Sequence, residues 1–228
     1  MLILAVDTTT PFGSTALLDD EKLIVEFGQV NPGTHSARLM RAVDFMLDAV
    51  GRKISDVEAF AVAAGPGSFT GIRIGLGTIK ALAFASCRPV IGVSTLEALA
   101  EKASYGWSGL VCPMIDARKD EIYSALYERT PSGMSAVIPA GAFDPEELFS
   151  RLPLDRPISF IGNGLELYGK KLEARIGDGG RYPQRSLFIA SEVGRLGCRG
   201  LKAGKGVKSD GLEPIYMRRS QAEEKCRS

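Results

Sequence analysis

The chain has 228 residues, of which 45% are hydrophobic and 24% are charged, and its formal net charge is +1. A chain of this length buries roughly 70–75% of its unfolded surface, so we expect a substantial core, and the balanced charge gives no argument for binding nucleic acid or a membrane. His35 is the only histidine, which excludes metal sites built from two or three histidines and leaves a capping or surface role before a predicted helix.

The cysteines and the start of the chain both predict a cytoplasmic protein. No Cys-x-x-Cys pair occurs, and we expect three of the four thiols to pack as small hydrophobic side chains; the four are Cys87, Cys112, Cys198 and Cys226. Met1 leads directly into an apolar strand without a basic leader. No apolar run approaches the roughly 20 residues of a membrane span, so no membrane association is expected.

The first half of the chain predicts a mixed sheet covered by helices. Apolar runs predict strands at 2–6, 14–18, 22–30, 59–64 and 90–93. Helices are predicted at 36–50, 71–86 and 94–103. In the third of these, Ser94 and Glu97 form a capping box. This order of elements is typical of an α/β domain.

The pattern restarts after residue 104. Leu110–Ile115 is apolar and ends at Asp116, as the first strand ends at Asp7, and Ala125-Leu126 follows Asp116 at the offset of Ala16-Leu17 from Asp7. This register match indicates an internal duplication. Further elements are predicted at 121–127, 145–151, 158–161 and 191–202. We therefore predict two α/β lobes, an N-terminal lobe at 1–104 and a smaller, reduced C-terminal lobe at 105–228 that includes the C-terminal tail.

The glycine-rich segment Gly65–Gly71 has two interpretations. Its backbone N–H groups and the following helix N-terminus could hold a phosphate. However, no Gly-Lys-Ser/Thr ending is present, and the glycine spacing is not that of a dinucleotide-binding loop. The alternative is a tight strand-to-helix turn in which glycine is needed for positive φ.

The two aspartates at strand ends suggest half of a nucleotide site. Asp7 and Asp116, with Thr8 and Thr9, could orient a magnesium–nucleotide complex between lobes. The second loop is Ala117-Arg118-Lys119-Asp120 instead of a glycine-rich sequence, and its side chains would crowd the phosphates. We expect no bound cofactor and treat these four residues as a remnant site. A small ATP-binding phosphotransferase or ATPase remains the alternative function.

The first two helices are apolar over more than one face. In the helix at 36–50 the apolar arc is about 220° wide, against the roughly 100° that a surface helix needs to cover its own core. The helix at 71–86 carries only Arg73 and Lys80 as charged residues. Such helices need covering on two sides, and the pattern favours a partner protein on the second side. Packing within the chain is the alternative.

Several motifs together resemble the TsaB (YeaZ-like) family of the actin-like ATPase (ASKHA) superfamily. The most specific is Gly65-Pro66-Gly67-Ser68-Phe69-Thr70-Gly71-Ile72-Arg73-Ile74-Gly75. The others are Ile3–Thr9, His35-Ser36 with Leu39-Met40, Val90–Leu96, Asp116-Ala117-Arg118 with Glu121-Ile122-Tyr123, and, as a looser match, Pro214–Arg219. The resemblance covers most of the chain and implies a two-lobed actin-like fold.

The resemblance also implies a function and a set of partners. TsaB-like proteins support the transfer of threonylcarbamoyl to the adenosine next to the anticodon of certain tRNAs. The transfer is performed by a paralogous partner, TsaD, which carries a metal-binding histidine pair that this chain lacks. A TsaE-like ATPase joins the assembly, tRNA is expected to be reached only through the complex, and a homodimer is expected when the partner is absent.

The family docks its partner through its first two helices, the same pair that the apolar pattern indicates. We therefore expect a non-catalytic scaffold whose interface is formed by Leu39, Met40, Val43, Met46 and Leu47 on one helix and Ile72, Arg73, Leu76, Ile79, Lys80 and Ala83 on the other. Arg73 and Lys80 would lie towards the rim of this interface, where charges set register and association rate.

Overall fold

The computed structural model describes residues 1–30, 36–131 and 133–217, and of residues 36 and 37 it describes the backbone only. His35, Cys226 and the predicted tail after Arg219 lie outside this part of the chain. The elements of the first half are β1 (Leu2–Asp7), β2 (Phe12–Asp19), β3 (Lys22–Val30), α1 (Ser36–Ala49), β4 (Ala59–Gly65), α2 (Phe69–Ser86), β5 (Val90–Ser94) and α3 (Thr95–Ala103). Those of the second half are β6 (Leu110–Arg118), β7 (Glu121–Thr130), β8 (Gly133–Phe143), α4 (Pro145–Arg151), β9 (Ile158–Ile161), α5 (Leu165–Ile176), β10 (Gly180–Arg181) and α6 (Ala190–Lys202).

The chain divides into two compact units, and the division differs from the predicted boundary at residue 104. Unit 1 consists of Met1–Ala98 together with Phe188–Ile215, and unit 2 is built from Leu99–Leu187. The prediction placed α6 in the C-terminal lobe, but α6 packs on the sheet of unit 1. Glycines allow this close approach, since a Cβ added at Gly197 would lie 2.6 Å from the Cβ of Ala61.

The sheet of unit 1 has the order β3-β2-β1-β4-β5. The β1–β2 pair is antiparallel, whereas β1–β4 and β4–β5 are parallel. All residues of β1 and β4 are buried, as expected for central strands whose two faces are both covered. The helices α1 and α2 share one apolar cluster with alternate residues of β1 and β4, and α6 packs against the same strands with its glycines facing Leu18 and Ala61.

The sheet of unit 2 repeats the topology of unit 1. Its order, β8-β7-β6-β9-β10, places the third, second, first, fourth and fifth strands of the second half side by side, as in unit 1. The β6–β7 pair is antiparallel and the β6–β9 pair is parallel. The internal duplication predicted from the spacing of Asp7 and Asp116 is thus confirmed. The last strands of unit 2 are short, with four residues in β9 and two in β10.

Three elements of unit 2 were not predicted from the sequence, namely β8, α5 and β10. Unit 1 follows its prediction closely, although α2 begins at Phe69, two residues before the predicted start. Within residues 1–30, 36–131 and 133–217, no helix combines the length and the apolar character that crossing a bilayer requires.

Candidate functional site

Most of the predicted interface residues belong to the core of unit 1. On α1 and α2, the eight apolar positions Leu39, Val43, Met46, Leu47, Ile72, Leu76, Ile79 and Ala83 are all buried and form one cluster with the sheet. The wide apolar arc therefore contains a core-facing stripe, and these eight residues lie on it. The structure corrects their assignment as direct partner contacts, because their side chains already pack within the chain.

A second apolar surface remains on the outward faces of the same helices. Phe45 of α1 is 61% exposed and Phe84 of α2 is 78% exposed, and Met40 and Phe69 are exposed as well. We call these four residues the outer apolar surface. Single exposed apolar side chains are ordinary on soluble proteins, but these four lie on two helices that cover the same face of one sheet.

The two predicted rim charges differ in their surroundings. Arg73 is exposed, and its guanidinium lies 3.9 Å from the centroid of the Phe69 ring. Lys80 is half-buried. Between them, Gly77 is exposed, and a Cβ added there would meet no atom within 4 Å. The outer face of α2 therefore alternates aromatic, charged and small residues, so that a second helix could approach it closely.

Asp7 is buried and held by its own loop. Its Oδ1 accepts hydrogen bonds from the backbone N–H of Thr9, at 2.8 Å, and from the Thr9 hydroxyl, at 2.7 Å. Burial raises the pKa of Asp7 from its ordinary 3.8 to about 6, and the hydrogen bonds from Thr9 oppose this rise. Its Oδ2 has no hydrogen-bond partner among the residues that the structure describes.

A small cavity lies beside Asp7 within unit 1. Its volume is about 30 Å³, and its lining includes Thr15, Gln29 and Arg38. A cavity of this size admits about one water molecule, whereas ligand pockets measure roughly 300–1,000 Å³. The cavity is therefore too small for a nucleotide.

The glycine-rich segment packs against the loop after β1. The Ser68 N–H donates to the carbonyl of Thr9 at 2.7 Å, and the Thr8 hydroxyl donates to the carbonyl of Gly71 at 2.7 Å. A Cβ at Gly71 would lie 2.0 Å from the carbonyl oxygen of Thr8, and Gly65 has a φ of +118°. The interpretation as a tight strand-to-helix turn is confirmed, and the glycines here serve contact between two loops of the chain.

Asp116 is also held by its own loop. Its Oδ1 accepts a hydrogen bond from the backbone N–H of Arg118 at 2.8 Å, and its Oδ2 lies 3.1 Å from the Arg118 guanidinium. Arg118, Lys119 and Asp120 all have positive φ, between 53° and 62°. The loop after Asp116 is thus a turn in which three consecutive residues have left-handed backbone conformation. In each unit the Oδ1 of this aspartate thus accepts a hydrogen bond from its own loop.

The described residues offer little for metal or thiol chemistry. In that part of the chain, no group of three or more His, Cys, Asp and Glu side chains is placed to hold a metal ion. Cys112 and Cys198 are buried and Cys87 is exposed, so two of the three described thiols pack as expected. Burial raises the pKa of Cys112 to about 12, which leaves its thiol protonated and unreactive.

Comparison with known proteins identifies the family. The chain is 32% identical to the tRNA threonylcarbamoyladenosine biosynthesis protein TsaB of Bacillus subtilis, over 99% of this chain and 97% of that protein. The chain belongs to the TsaB family. The sequence profile of the related family described as "TsaD: tRNA N6-adenosine threonylcarbamoyltransferase" also matches residues 15–176. The TsaB chain described here is thus related in sequence to the transferase family as well.

Solved structures agree with this assignment. A Pseudomonas aeruginosa protein described as similar to the peptidase YeaZ has a TM-score of 0.81 and 31% identity, covering 95% of this chain and 99% of that one. The activator of 2-hydroxyisocaproyl-CoA dehydratase from Clostridium difficile has a TM-score of 0.58 at 9% identity, covering 95% and 100% of the two chains. The latter likeness concerns the fold alone, and with similar neighbours it shows the actin-like ATPase fold that the sequence predicted.

Proposed function

We propose that this TsaB-family chain is a non-catalytic subunit in tRNA threonylcarbamoyladenosine biosynthesis, and that it binds a TsaD-like transferase through the outer apolar surface. The observation that carries the proposal is the exposure of Phe45 and Phe84 on two helices whose opposite faces already cover the sheet. The names of the relatives indicate the pathway, and the outer apolar surface is where this chain would bind its partner.

The sequence relationship to the transferase supports this choice of partner. Since the TsaD profile matches residues 15–176, a TsaD-like partner has helices that correspond to α1 and α2. Two related chains can pair corresponding surfaces about an approximate two-fold axis, as identical subunits do in isologous dimers. A homodimer would use the same surface, so we expect the partner and a second copy of this chain to compete for it.

The surroundings of the two aspartates support a non-catalytic role. Thr9 holds the carboxylate of Asp7, and Arg118 neutralises that of Asp116. The only histidine of the chain cannot supply the histidine pair that the resemblance assigns to the transferase. A peptidase that uses a bound metal ion would need a set of ligands, and among the described residues no group of three or more His, Cys, Asp and Glu side chains is placed to hold one. The transfer reaction is therefore assigned to the partner.

Reconstitution with purified proteins tests this proposal. The TsaD-like protein of the same organism, a TsaE-like ATPase and substrate tRNA are incubated with the threonylcarbamoyl donor, with and without this chain. We expect modified tRNA only when both the transferase and this chain are present, and none from this chain alone. Modification by this chain without the transferase would contradict the non-catalytic role.

A further inference from the structure

A loop of unit 2, residues 104–109 between α3 and β6, is surrounded by arginines. It carries two aromatic residues, Tyr105 and Trp107. The Arg181 guanidinium lies 5.0 Å from the Trp107 ring centroid, and that of Arg185 lies 5.9 Å from the Tyr105 ring centroid. Arg129 reaches the start of the same loop and hydrogen-bonds the Ser104 hydroxyl. We call these five side chains, with Ser104, the arginine–aromatic cluster.

The cluster is fixed by contacts with the backbone. The Trp107 indole N–H donates to the Leu110 carbonyl at 3.0 Å, which holds the ring in place. Arg185 donates from Nη2 to the Tyr105 carbonyl at 2.6 Å. An open depression of about 410 Å³ is lined by residues 104–108 and Arg129. Tyr105, Trp107 and Arg129 therefore line one concave surface, and Arg181 and Arg185 lie against the two aromatic rings.

The cluster has an excess of positive charge. Arg129 is paired with the buried carboxylate of Glu101, at 3.6 Å. Among the residues that the structure describes, no carboxylate forms an ion pair with Arg181 or Arg185. An arginine that stacks on one aromatic ring keeps its N–H donors in its own plane and its second face open. Arg181 and Arg185 can therefore contact an anion while remaining stacked.

We propose that the arginine–aromatic cluster binds a single-stranded segment of RNA. Aromatic rings and guanidinium planes stack on bases, and uncompensated arginines contact phosphates, which together form the common mode of recognition of single-stranded RNA. The choice of RNA rests on the proposed function in tRNA modification. The cluster goes beyond that function, because it assigns direct contact with RNA to unit 2 of this chain and not only to the assembled complex.

Trp107 is the only tryptophan of the chain, so the intrinsic tryptophan fluorescence reports on this site alone. We expect the intrinsic fluorescence of the full chain to be quenched saturably by a single-stranded oligoribonucleotide of about twelve nucleotides, at low ionic strength. Polyglutamate and inorganic phosphate are titrated in parallel. Neither polyglutamate nor inorganic phosphate should displace the oligonucleotide when added at the same concentration of negative charge, because neither has a base that can stack on the aromatic rings. Equal binding of polyglutamate would overturn the proposal in favour of an acidic protein ligand.

Substitution of Arg181 separates binding from folding. Arg181→Gln should weaken the oligonucleotide affinity roughly tenfold and lower the dependence of log affinity on log salt by about 1. Arg181→Lys keeps the positive charge but lacks the planar guanidinium group. It should therefore show the salt dependence of the wild type but a lower affinity for the oligonucleotide. Arg52→Gln, an exposed arginine of unit 1, is the matched control and should bind as the wild type does. Unchanged affinity in Arg181→Gln, with an unchanged thermal unfolding curve, would refute the proposal.

RNA binding by the arginine–aromatic cluster and partner binding by the outer apolar surface are tested by separate measurements. RNA binding is measured on the chain alone, whereas docking is measured with the TsaD-like protein in the absence of RNA. Loss of RNA binding in Arg181→Gln with normal partner binding supports the cluster. Partner binding by the wild type with no fluorescence change on adding RNA would reject the cluster and leave the docking proposal intact.

Discussion

Asp7 and Asp116 occupy corresponding positions in the two halves of the chain. Each lies in the first strand of its sheet, and each Oδ1 accepts a hydrogen bond from the backbone N–H two residues further on, at 2.8 Å in both. The two aspartates differ in their surroundings, because Asp116 forms an ion pair with Arg118, whereas the Oδ2 of the buried Asp7 has no hydrogen-bond partner within the described part of the chain. The two positions correspond in the repeated topology, but their surroundings differ.

The burial of Asp7 predicts a pH-dependent stability. Its pKa is about 6 in the folded chain and about 3.8 when exposed. Between these values the folded state binds more protons than the unfolded state, so the Asp7 contribution destabilises the fold progressively as pH rises from about 4 to 7. Asp7→Asn should therefore raise the free energy of unfolding at pH 7.5 by about 1–3 kcal/mol and have little effect near pH 4. Urea unfolding at both pH values measures this, and an equal effect at both would contradict it.

Two glycines of α2 should respond oppositely to alanine. Gly71→Ala places a Cβ 2.0 Å from the Thr8 carbonyl oxygen, so we expect a loss of about 1–3 kcal/mol in the free energy of unfolding. Gly77→Ala meets nothing within 4 Å and should be neutral or stabilising by about 0.5–1 kcal/mol, because alanine favours a helix interior. Thermal unfolding of the two variants measures both effects. Similar stability of both would mean that the loop contact at Thr8 is not as tight as described.

Val43 and Phe45 test which face of α1 is the outer one. Val43 is 1% exposed in the core of unit 1, so Val43→Asp should cost several kcal/mol and leave little folded protein. Phe45 lies outward and touches Phe27 edge-on, with 5.6 Å between ring centroids. Phe45→Asp should remain folded and lose affinity for the TsaD-like protein. Circular dichroism together with partner titration distinguishes the two outcomes, and a folded Val43→Asp would contradict the core assignment.

The remnant nucleotide site predicts weak or absent nucleotide binding. Titration calorimetry with ATP and magnesium on the isolated chain should give no saturable heat at concentrations that saturate a micromolar binder, because Thr9 and Arg118 engage both aspartates. Saturable binding that disappears in Asp7→Ala would instead support the alternative, a small phosphotransferase of the same superfamily. Asp7→Ala on its own should not change partner binding.

The sequence was most informative where strands are fully buried. Continuous apolar runs marked β1 and β4 correctly, and the spacing around Asp7 and Asp116 indicated the duplication. The strand β8 was not predicted because its sequence lacks the alternation of apolar and polar residues that marks a strand. It lies at a sheet edge, includes Pro139 and Gly141, and has exposed residues on both faces. The helix α5 was not predicted, although Leu165, Tyr168, Leu172 and Ile176 recur at helical spacing. Only Leu172 is fully buried, and the other three pack half-buried against the core of unit 2.

Two errors have a physical origin in tertiary packing. The wide apolar arc of α1 combines a core stripe with exposed Phe45, and a helical wheel cannot tell which part faces the sheet of its own chain. The helix α6 was predicted at almost its true bounds but assigned to the wrong unit. Its contact with unit 1 depends on the close fit of Gly194 against Leu18 and of Gly197 against Ala61. The spacing of residues within α6 does not show which sheet these glycines contact.

Docking through the outer apolar surface can be tested with the single substitution Phe84→Asp. Size-exclusion chromatography with light scattering is run on the TsaD-like protein mixed with the wild type, with Phe84→Asp, and with Leu167→Asp, a control at an exposed leucine of unit 2. We predict a stable mixed complex for the wild type and Leu167→Asp, and separate elution for a folded Phe84→Asp, since truncating or charging a central interface residue costs about 2 kcal/mol or more. An intact complex with Phe84→Asp would contradict docking through the outer apolar surface.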